Sequence, residues 1–183
     1  TPGLKIFYPA FPDEAKSLLL EAFEDPNPVL FFEHKNLYRS LSGPVDTTYH
    51  TLESGKASIV QAGTDATIIT YGMGVHWAID ATKEFQGSIE IINLRTLSPL
   101  DWDTVFESVK KTGRALVLDE ANFTGGVGAD ISARISDVCF EFLDAPVKRV
   151  ASLDTPIPFS AKLEANFLPK SRLASVLQDL LKY

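Results

Sequence analysis

RALVLDEANFTGGVGADISARI, residues 114–135, is the stretch whose reading decides the fold. Residues 115–118 form an unbroken apolar run of strand length that ends in Asp119-Glu120. Thr124-Gly125-Gly126-Val127-Gly128 reads as a turn. Val127, Ile131, Ile135, Val138 and Phe142 then recur three or four residues apart, the apolar stripe of an amphipathic helix. Strand, glycine turn and helix in that order are the unit from which α/β sheets are built.

The pattern extends in both directions. Toward the carboxyl end, residues 147–151 read as a strand, Pro156 and Pro158 as an irregular stretch, and Pro169 as the start of a helix carrying Leu173, Val176, Leu177, Leu180 and Leu181. Toward the amino end lie a helix over 101–111 closed by Thr112-Gly113, a strand over 88–93, a helix over 75–85, and strands over 66–71 and 57–60. Residues 57–183 are therefore expected to form a three-layer α/β sandwich with a mostly parallel sheet. Ser, Gly, Pro, Thr and Asp dominate residues 41–56, which read as a linker. Ahead of it, residues 1–40 read strand, helix, strand. Pro12 and Asp13-Glu14 open the helix, Ala15, Leu18, Leu19, Ala22 and Phe23 line it, and Pro26 stops it. The apolar run 29–32 is expected to be a strand buried on both faces.

Composition narrows the function. With 45% apolar and 22% charged residues the 183-residue chain has a globular balance, and its net charge of −7 argues against a nucleic-acid or anionic-membrane binder. Cys139 is the only cysteine, which excludes an intrachain disulfide and a thiolate metal cluster and suits a reducing compartment. No apolar run approaches the roughly 20 residues of a membrane span. The opening Thr-Pro-Gly-Leu-Lys is neither a signal nor a transit peptide, and the missing initiator Met reads as a chain cut from something longer.

Several residues could carry chemistry, and each has a plainer reading. The 124–128 turn could cradle an anion on backbone N–H groups, but no Lys follows it and Asp130 would repel a phosphate, so a structural turn is expected. Asp119 and Glu120 stand at the carboxyl end of a strand, where α/β sheets bind ligands, yet adjacent strand residues face opposite ways. A capping or interface role is expected ahead of acid–base catalysis. His76 follows a strand-to-helix turn without a nucleophile at useful spacing, so it reads as structural; His34 and His50 share no metal-ligand spacing. Cys139 reads as inert packing. An Arg95–Asp101 ion pair is expected to pin the 94–101 turn. At Asp25-Pro26-Asn27-Pro28, carbonyls from the helix end at Ala22 and Phe23 join the oxygens of Asp25 and Asn27. This set suits a monovalent cation or Ca²⁺, although chemistry alone favours a capped helix end.

Six strings go further when taken in order: Pro2-Gly3-Leu4-Lys5, Asp25-Pro26-Asn27-Pro28, residues 31–39, residues 93–101, Thr112-Gly113-Arg114 and Asp144-Ala145-Pro146-Val147. Together they resemble the carboxyl-terminal half of the beta subunit of the thiamine-diphosphate-dependent 2-oxo-acid dehydrogenases, over essentially the whole chain. The resemblance implies that residues 1–40 end a pyrimidine-binding domain and that 57–183 form a transketolase-type carboxyl-terminal domain. It also implies thiamine diphosphate and Mg²⁺ held between alpha and beta subunits, with a second beta subunit and the subunit-binding domain of a lipoyl acyltransferase as further partners. A cytoplasmic location follows, or the mitochondrial matrix in a eukaryote. Residues 31–39, Asp154-Thr155-Pro156 and Lys182-Tyr183 look more like the branched-chain (2-oxoisovalerate) enzymes than the pyruvate-type ones.

The family's catalytic histidine, its aminopyrimidine-contacting glutamate and its diphosphate motif have no counterpart here, so no catalytic or cofactor-binding residue is assigned. By resemblance, the Ala22 carbonyl, Asp25 and Asn27 match a potassium site. Asp144 matches an acidic position that meets the subunit-binding domain, and a terminal carboxylate on Tyr183 would add a second anion. The competing readings are a pyruvate dehydrogenase beta subunit, a non-catalytic α/β interaction domain, and a sugar-phosphate ketol transferase.

Overall fold

The computed structural model describes residues 3–83, 85 and 87–183. In chain order its first half contains β1 (Lys5–Phe7), α1 (Pro12–Glu24), β2 (Val29–Phe31), α2 (Leu37–Ser40), β3 (Ser58–Gln61), β4 (Ala66–Thr70) and α3 (Met73–Thr82). The second half contains β5 (Ile89–Asn93), β6 (Thr96–Ser98), α4 (Trp102–Thr112), β7 (Ala115–Asn122), α5 (Val127–Val138), β8 (Lys148–Ser152), α6 (Ala161–Phe167) and α7 (Lys170–Leu180). Five strands form one sheet in the order β3-β5-β4-β7-β8, parallel except for β3, which runs antiparallel to β5. A smaller sheet has the order β2-β1-β6.

Alternation along the central strands builds the two outer layers. Ile68, Ile91, Leu116 and Leu118 face one side and pack with Trp77 and Ala78 of α3 and Leu173, Leu177 and Leu180 of α7. Ile69, Ile92 and Val117 face the other and pack with Val105 and Val109 of α4 and Ile131 and Ile135 of α5. The three-layer sandwich expected from the sequence is therefore present, with sheet residues buried on both faces. Several polar groups in this core are matched: Thr67 Oγ1 lies 2.7 Å from Ser108 Oγ and 2.8 Å from Thr112 Oγ1, while Glu90 takes Ser108 and Lys111.

Differences from the sequence reading have local causes. The run at β2 is not buried on both faces: β2 is an edge strand beside β1 alone, so Leu30 and Phe32 are exposed. Helix α5 ends at Val138, and Phe140–Phe142 turns in a tighter helical geometry, so Phe142 leaves the stripe and is exposed. Cys139 caps α5 and is fully buried, and burial pushes its thiol pKa up. Helix α3 stops at Thr82; the expected end at Phe85 crosses Glu84, which lies outside the described residues, as do Thr1 and Pro2. Strand β6 and helices α2 and α6 are short elements without a periodic signal. The 94–101 turn is not pinned by an Arg95–Asp101 pair. Asp101 instead caps α4, accepting from the Thr104 N–H at 3.2 Å and Oγ1 at 2.8 Å, and ties the Ala57 N–H at 2.9 Å. Arg95 turns away to Glu14.

Candidate functional site

The carboxyl ends of β1, β2, β4 and β7 converge on the seam between the two sheets, the edge at which open α/β sheets bind ligands. Tyr8 follows β1, His34 follows β2, Tyr71 follows β4, and Glu120 sits near the end of β7. The Tyr8 ring lies 5.4 Å from that of Tyr71 and 5.8 Å from that of Phe32. Gly72 makes room for it: at φ +53°, a Cβ there would sit 2.6 Å from Tyr8 Cε2. Beside the rings, His34 Nε2 meets Glu120 Oε1 at 3.1 Å. This bond to Glu120 holds the imidazole pKa above its ordinary value despite the opposing effect of burial. Burial, assisted by the Glu120 charge, pushes the Tyr8 hydroxyl up to about 12, and burial likewise raises Tyr71.

A second set of bonds closes the seam from below. The buried Glu14 carboxylate accepts from Asn93 Nδ2 at 2.9 and 3.1 Å, from Arg95 Nε at 2.7 Å and from the Ala10 N–H at 3.2 Å. Arg95 adopts φ +60°, a strained conformation for a residue with a Cβ, and its carbonyl accepts from the Tyr8 N–H at 2.8 Å. His76 Nε2 donates to the Ala10 carbonyl at 2.8 Å, and its ring stands edge-on to Phe11. This places His76 in the joint, as the structural reading expected. Next to the joint, a recess of about 240 Å³ is lined by Pro9, Phe11, Glu33, His34, Leu37 and Tyr38. Two tyrosines with raised pKa and a histidine held by a carboxylate line this joint. Among the described residues, no group of three His, Cys, Asp or Glu side chains is arranged to hold a metal ion. This arrangement joins the two sheets and positions their edges. Sequence spacing gives no sign of it, because its carboxylates and their Asn93, Arg95 and His34 partners lie 79 to 86 positions apart.

The glycine-rich turn already holds an anion of its own. Asp119 points from β7 beneath the start of α5, is 1% exposed, and has no complete hydrogen bond to either carboxylate oxygen. A Cβ at Gly128 would collide with its Oδ2, so glycine is what lets the helix start approach so closely. Burial raises the Asp119 carboxyl to about 6, against the pull of Arg149 and the nearby Gly128 N–H. Glu120, the adjacent residue, projects the other way toward His34, as strand alternation requires.

The remaining residues singled out in the sequence are dispersed. Asp25 is ion-paired with Lys5, and its Oδ1 accepts from the Asn27 N–H at 2.9 Å and Nδ2 at 3.2 Å. These bonds, the Lys5 contact foremost, hold the Asp25 carboxyl below its usual range. In this arrangement an ammonium neutralises the Asp25 carboxylate, and Asn27 donates N–H groups to it. Asp144 is exposed, with Arg114 Nη1 3.7 Å away, and its N–H donates to the Gly113 carbonyl at 2.8 Å. Tyr183 is exposed, with Lys148 Nζ 5.8 Å from its ring centroid. His50 meets Ser17 Oγ at 2.8 Å, with Asp13 and Asp46 at 3.5 and 3.9 Å. Ser17 is fully buried, so its hydroxyl is closed to substrate, and the cluster instead ties the 41–56 stretch to α1.

Comparison with known proteins gives this geometry a context. The family model described as transketolase, C-terminal domain, matches residues 55–172. The pyruvate dehydrogenase E1 component subunit beta of Bacillus subtilis is 45% identical over 93% of this chain and 53% of its own length. Acetoin:2,6-dichlorophenolindophenol oxidoreductase subunit beta of the same organism is 42% identical over 98% of this chain and 54% of its own. Its 2-oxoisovalerate dehydrogenase subunit beta is 38% identical over 100% and 57%. The chain thus spans about half the length of these curated relatives. A solved structure described as a split gene transketolase, inactive beta4 tetramer, superposes with a TM-score of 0.77 over 99% of this chain and 58% of that one, at 23% identity, a likeness of fold.

Proposed function

The chain belongs to the transketolase C-terminal domain family, and we propose that it is the carboxyl-terminal part of a beta subunit of a thiamine-diphosphate-dependent 2-oxo-acid dehydrogenase. The observation that carries this reading is the match to beta subunits named for pyruvate and 2-oxoisovalerate dehydrogenases over 93% and 100% of the chain. Residues 1–40 would then close a pyrimidine-binding domain, 41–56 would be the linker, and 57–183 the carboxyl-terminal domain. The joint at Tyr8, His34, Tyr71 and Glu120 would fix the two parts relative to each other. Thiamine diphosphate with Mg²⁺ supplies the decarboxylation chemistry in such enzymes. No residue of this chain is proposed to contact it, so the chain's part is assembly with an alpha subunit and a second beta subunit.

The substrate is proposed at the level of a 2-oxo acid. Residues 31–39 favour a branched-chain acid, whereas the relatives named for pyruvate and acetoin have identities of 45% and 42%. The test is to produce the subunit containing this chain with its alpha partner and measure lipoyl acylation on pyruvate and 2-oxoisovalerate. Turnover on either supports the class and the ratio of kcat/KM assigns the acid. Turnover on neither overturns the proposal. A potassium ion at Ala22, Asp25 and Asn27 belongs to this proposal only if Lys5 leaves Asp25 in the longer subunit.

Docking of the acyltransferase subunit-binding domain is proposed to involve Asp144 and Tyr183. Both are exposed, and the Asp144 carboxylate meets Arg114 at the long distance of 3.7 Å. An acidic surface steers a basic partner, with an affinity that falls as salt rises. Asp144→Asn is expected to weaken this binding about tenfold, or ~1.4 kcal/mol, in calorimetric titration. Unchanged affinity would place Asp144 off the interface.

A further inference from the structure

From Leu153 to Asn166 every residue but Pro158 is exposed. This strap between β8 and α6 carries large apolar side chains: Ile157 is 69% exposed, Leu163 59%, Leu153 43%, and Phe159 fully. Single exposed apolar residues are ordinary, whereas a contiguous set marks an interaction surface. The strap is nevertheless fastened at its base. Asn122 Nδ2 donates to the Leu153 and Thr155 carbonyls at 2.6 and 3.2 Å. Thr124 donates to Asp154 from its N–H and its Oγ1, each at 2.8 Å, and the Leu153 N–H donates to the Phe167 carbonyl at 3.2 Å. Pro156 and Pro158 fix φ in between, so docking of this segment costs little conformational entropy.

A shallow recess of about 530 Å³ lies beside the strap, between α6 and the start of α7, lined by Ala161, Ala165, Leu168 and Lys170 among others. It begins two residues along the chain from Phe159, whose ring stands free in solvent. A protruding ring and an apolar hollow therefore stand unmatched beside each other. Charge singles out what fits them. The charged residues of 153–171 are Asp154, Lys162, Glu164 and Lys170, all exposed, with a sum of zero in a chain of net charge −7. Arg172 lies half-buried below, bonded to the carbonyls of Ala151, Asn166 and Phe167. A cationic partner is steered to the acidic remainder of the surface, whereas two copies of an acidic chain meet with least repulsion on its neutral face. The area suffices as well. Phe159 offers about 200 Å² and the four apolar side chains roughly 500 Å² together, so two copies bury about 1,000 Å², the lower bound of a specific interface.

We propose that this face pairs two copies of the chain about a two-fold axis, with the Phe159 ring of each copy seated in the α6–α7 recess of the other. Ring into recess and recess around ring are then one contact made twice, so the assembly closes at two copies. The inference deepens the proposed assembly with a second beta subunit and rests on that reading for its role in the longer enzyme. The contact itself rests on the strap.

The test is sedimentation equilibrium of the chain from about 5 μM to about 500 μM, where a monomer–dimer equilibrium with Kd of about 100 μM or tighter is expected. Phe159→Ser removes the ring and is expected to raise Kd at least about thirtyfold, with the melting temperature of the monomer unchanged because the ring packs on nothing in its own chain. Ala165→Arg fills the recess from the other side, at an exposed helical position, and is expected to match that loss. A chain that stays monomeric throughout would overturn the proposal. So would a dimer that either folded variant leaves intact, since its interface would lie elsewhere. Growth beyond two copies that Leu30→Lys on the edge strand β2 does not suppress would overturn the two-fold arrangement. The readout is mass rather than turnover, so its failure is distinct from a failure of the dehydrogenase reading.

Discussion

Asp119 has given up solvent without gaining a full hydrogen bond, so its charge state is coupled to folding. Its carboxyl sits at about 6 in the folded chain against an ordinary 3.8. Between these values the folded state holds a proton that the unfolded state releases, so stability falls as pH rises from about 4 to about 6 and then levels. Asp119→Asn removes that titration. The variant is expected to equal or trail the parent at pH 4 and to exceed it above pH 7, by at most about 3 kcal/mol. Urea denaturation of both proteins across this range is the measurement, and parallel pH profiles would mean that Asp119 is solvated. The sequence reading put Asp119 at a strand end beside a glycine turn, whereas it lies inside β7, which runs to Asn122. Its role was hidden because burial beneath α5 depends on β7 continuing to Asn122, two residues past a pair of charges that ordinarily stop a strand.

Among the elements, α4 was the most legible. The helix read over 101–111 and closed at Thr112-Gly113 runs from Trp102 to Thr112, with Asp101, read as a partner of Arg95, as its cap. The same Asp101 shows where local reading ends. Its bond to the Ala57 N–H spans 44 positions and fastens the start of β3 to the start of α4. Burial opposes its charge, but bonds from Ala57 and Thr104 outweigh that and hold the carboxyl below its ordinary range. Asp101→Ala is expected to cost about 1–3 kcal/mol at neutral pH, seen as a lower denaturation midpoint at unchanged slope. A lowered folded pKa confers stability above the unfolded value that is lost on acidification, so the difference should shrink below pH 4. Strand β6 was not legible for the opposite reason: at three residues it exists only because β1 offers it an edge.

For the molecule as a whole, the joint between the sheets matters most, and apart from the structural reading of His76 and the interface reading of Glu120 it was not readable in advance. His34, Glu120, Glu14 and Arg95 are ordinary surface residue types until the fold brings them together. The joint is also pH-sensitive. Bonding to Glu120 raises the His34 pKa above 6.5, so its stabilisation is complete below that value and lost as pH rises through the higher folded value. His34→Gln should therefore destabilise most near pH 5–6 and progressively less toward pH 8, as thermal melts across that range would register. A constant difference would assign His34 to packing alone. Among the described residues strand β2 pairs on one side only, with β1, and Leu30 and Phe32 are exposed alongside. Such an edge is a template for like edges. In concentrated preparations the first failure of this chain will accordingly be colloidal, with fully folded molecules stitching together strand to strand. Its cure is a lysine on that edge rather than a better core.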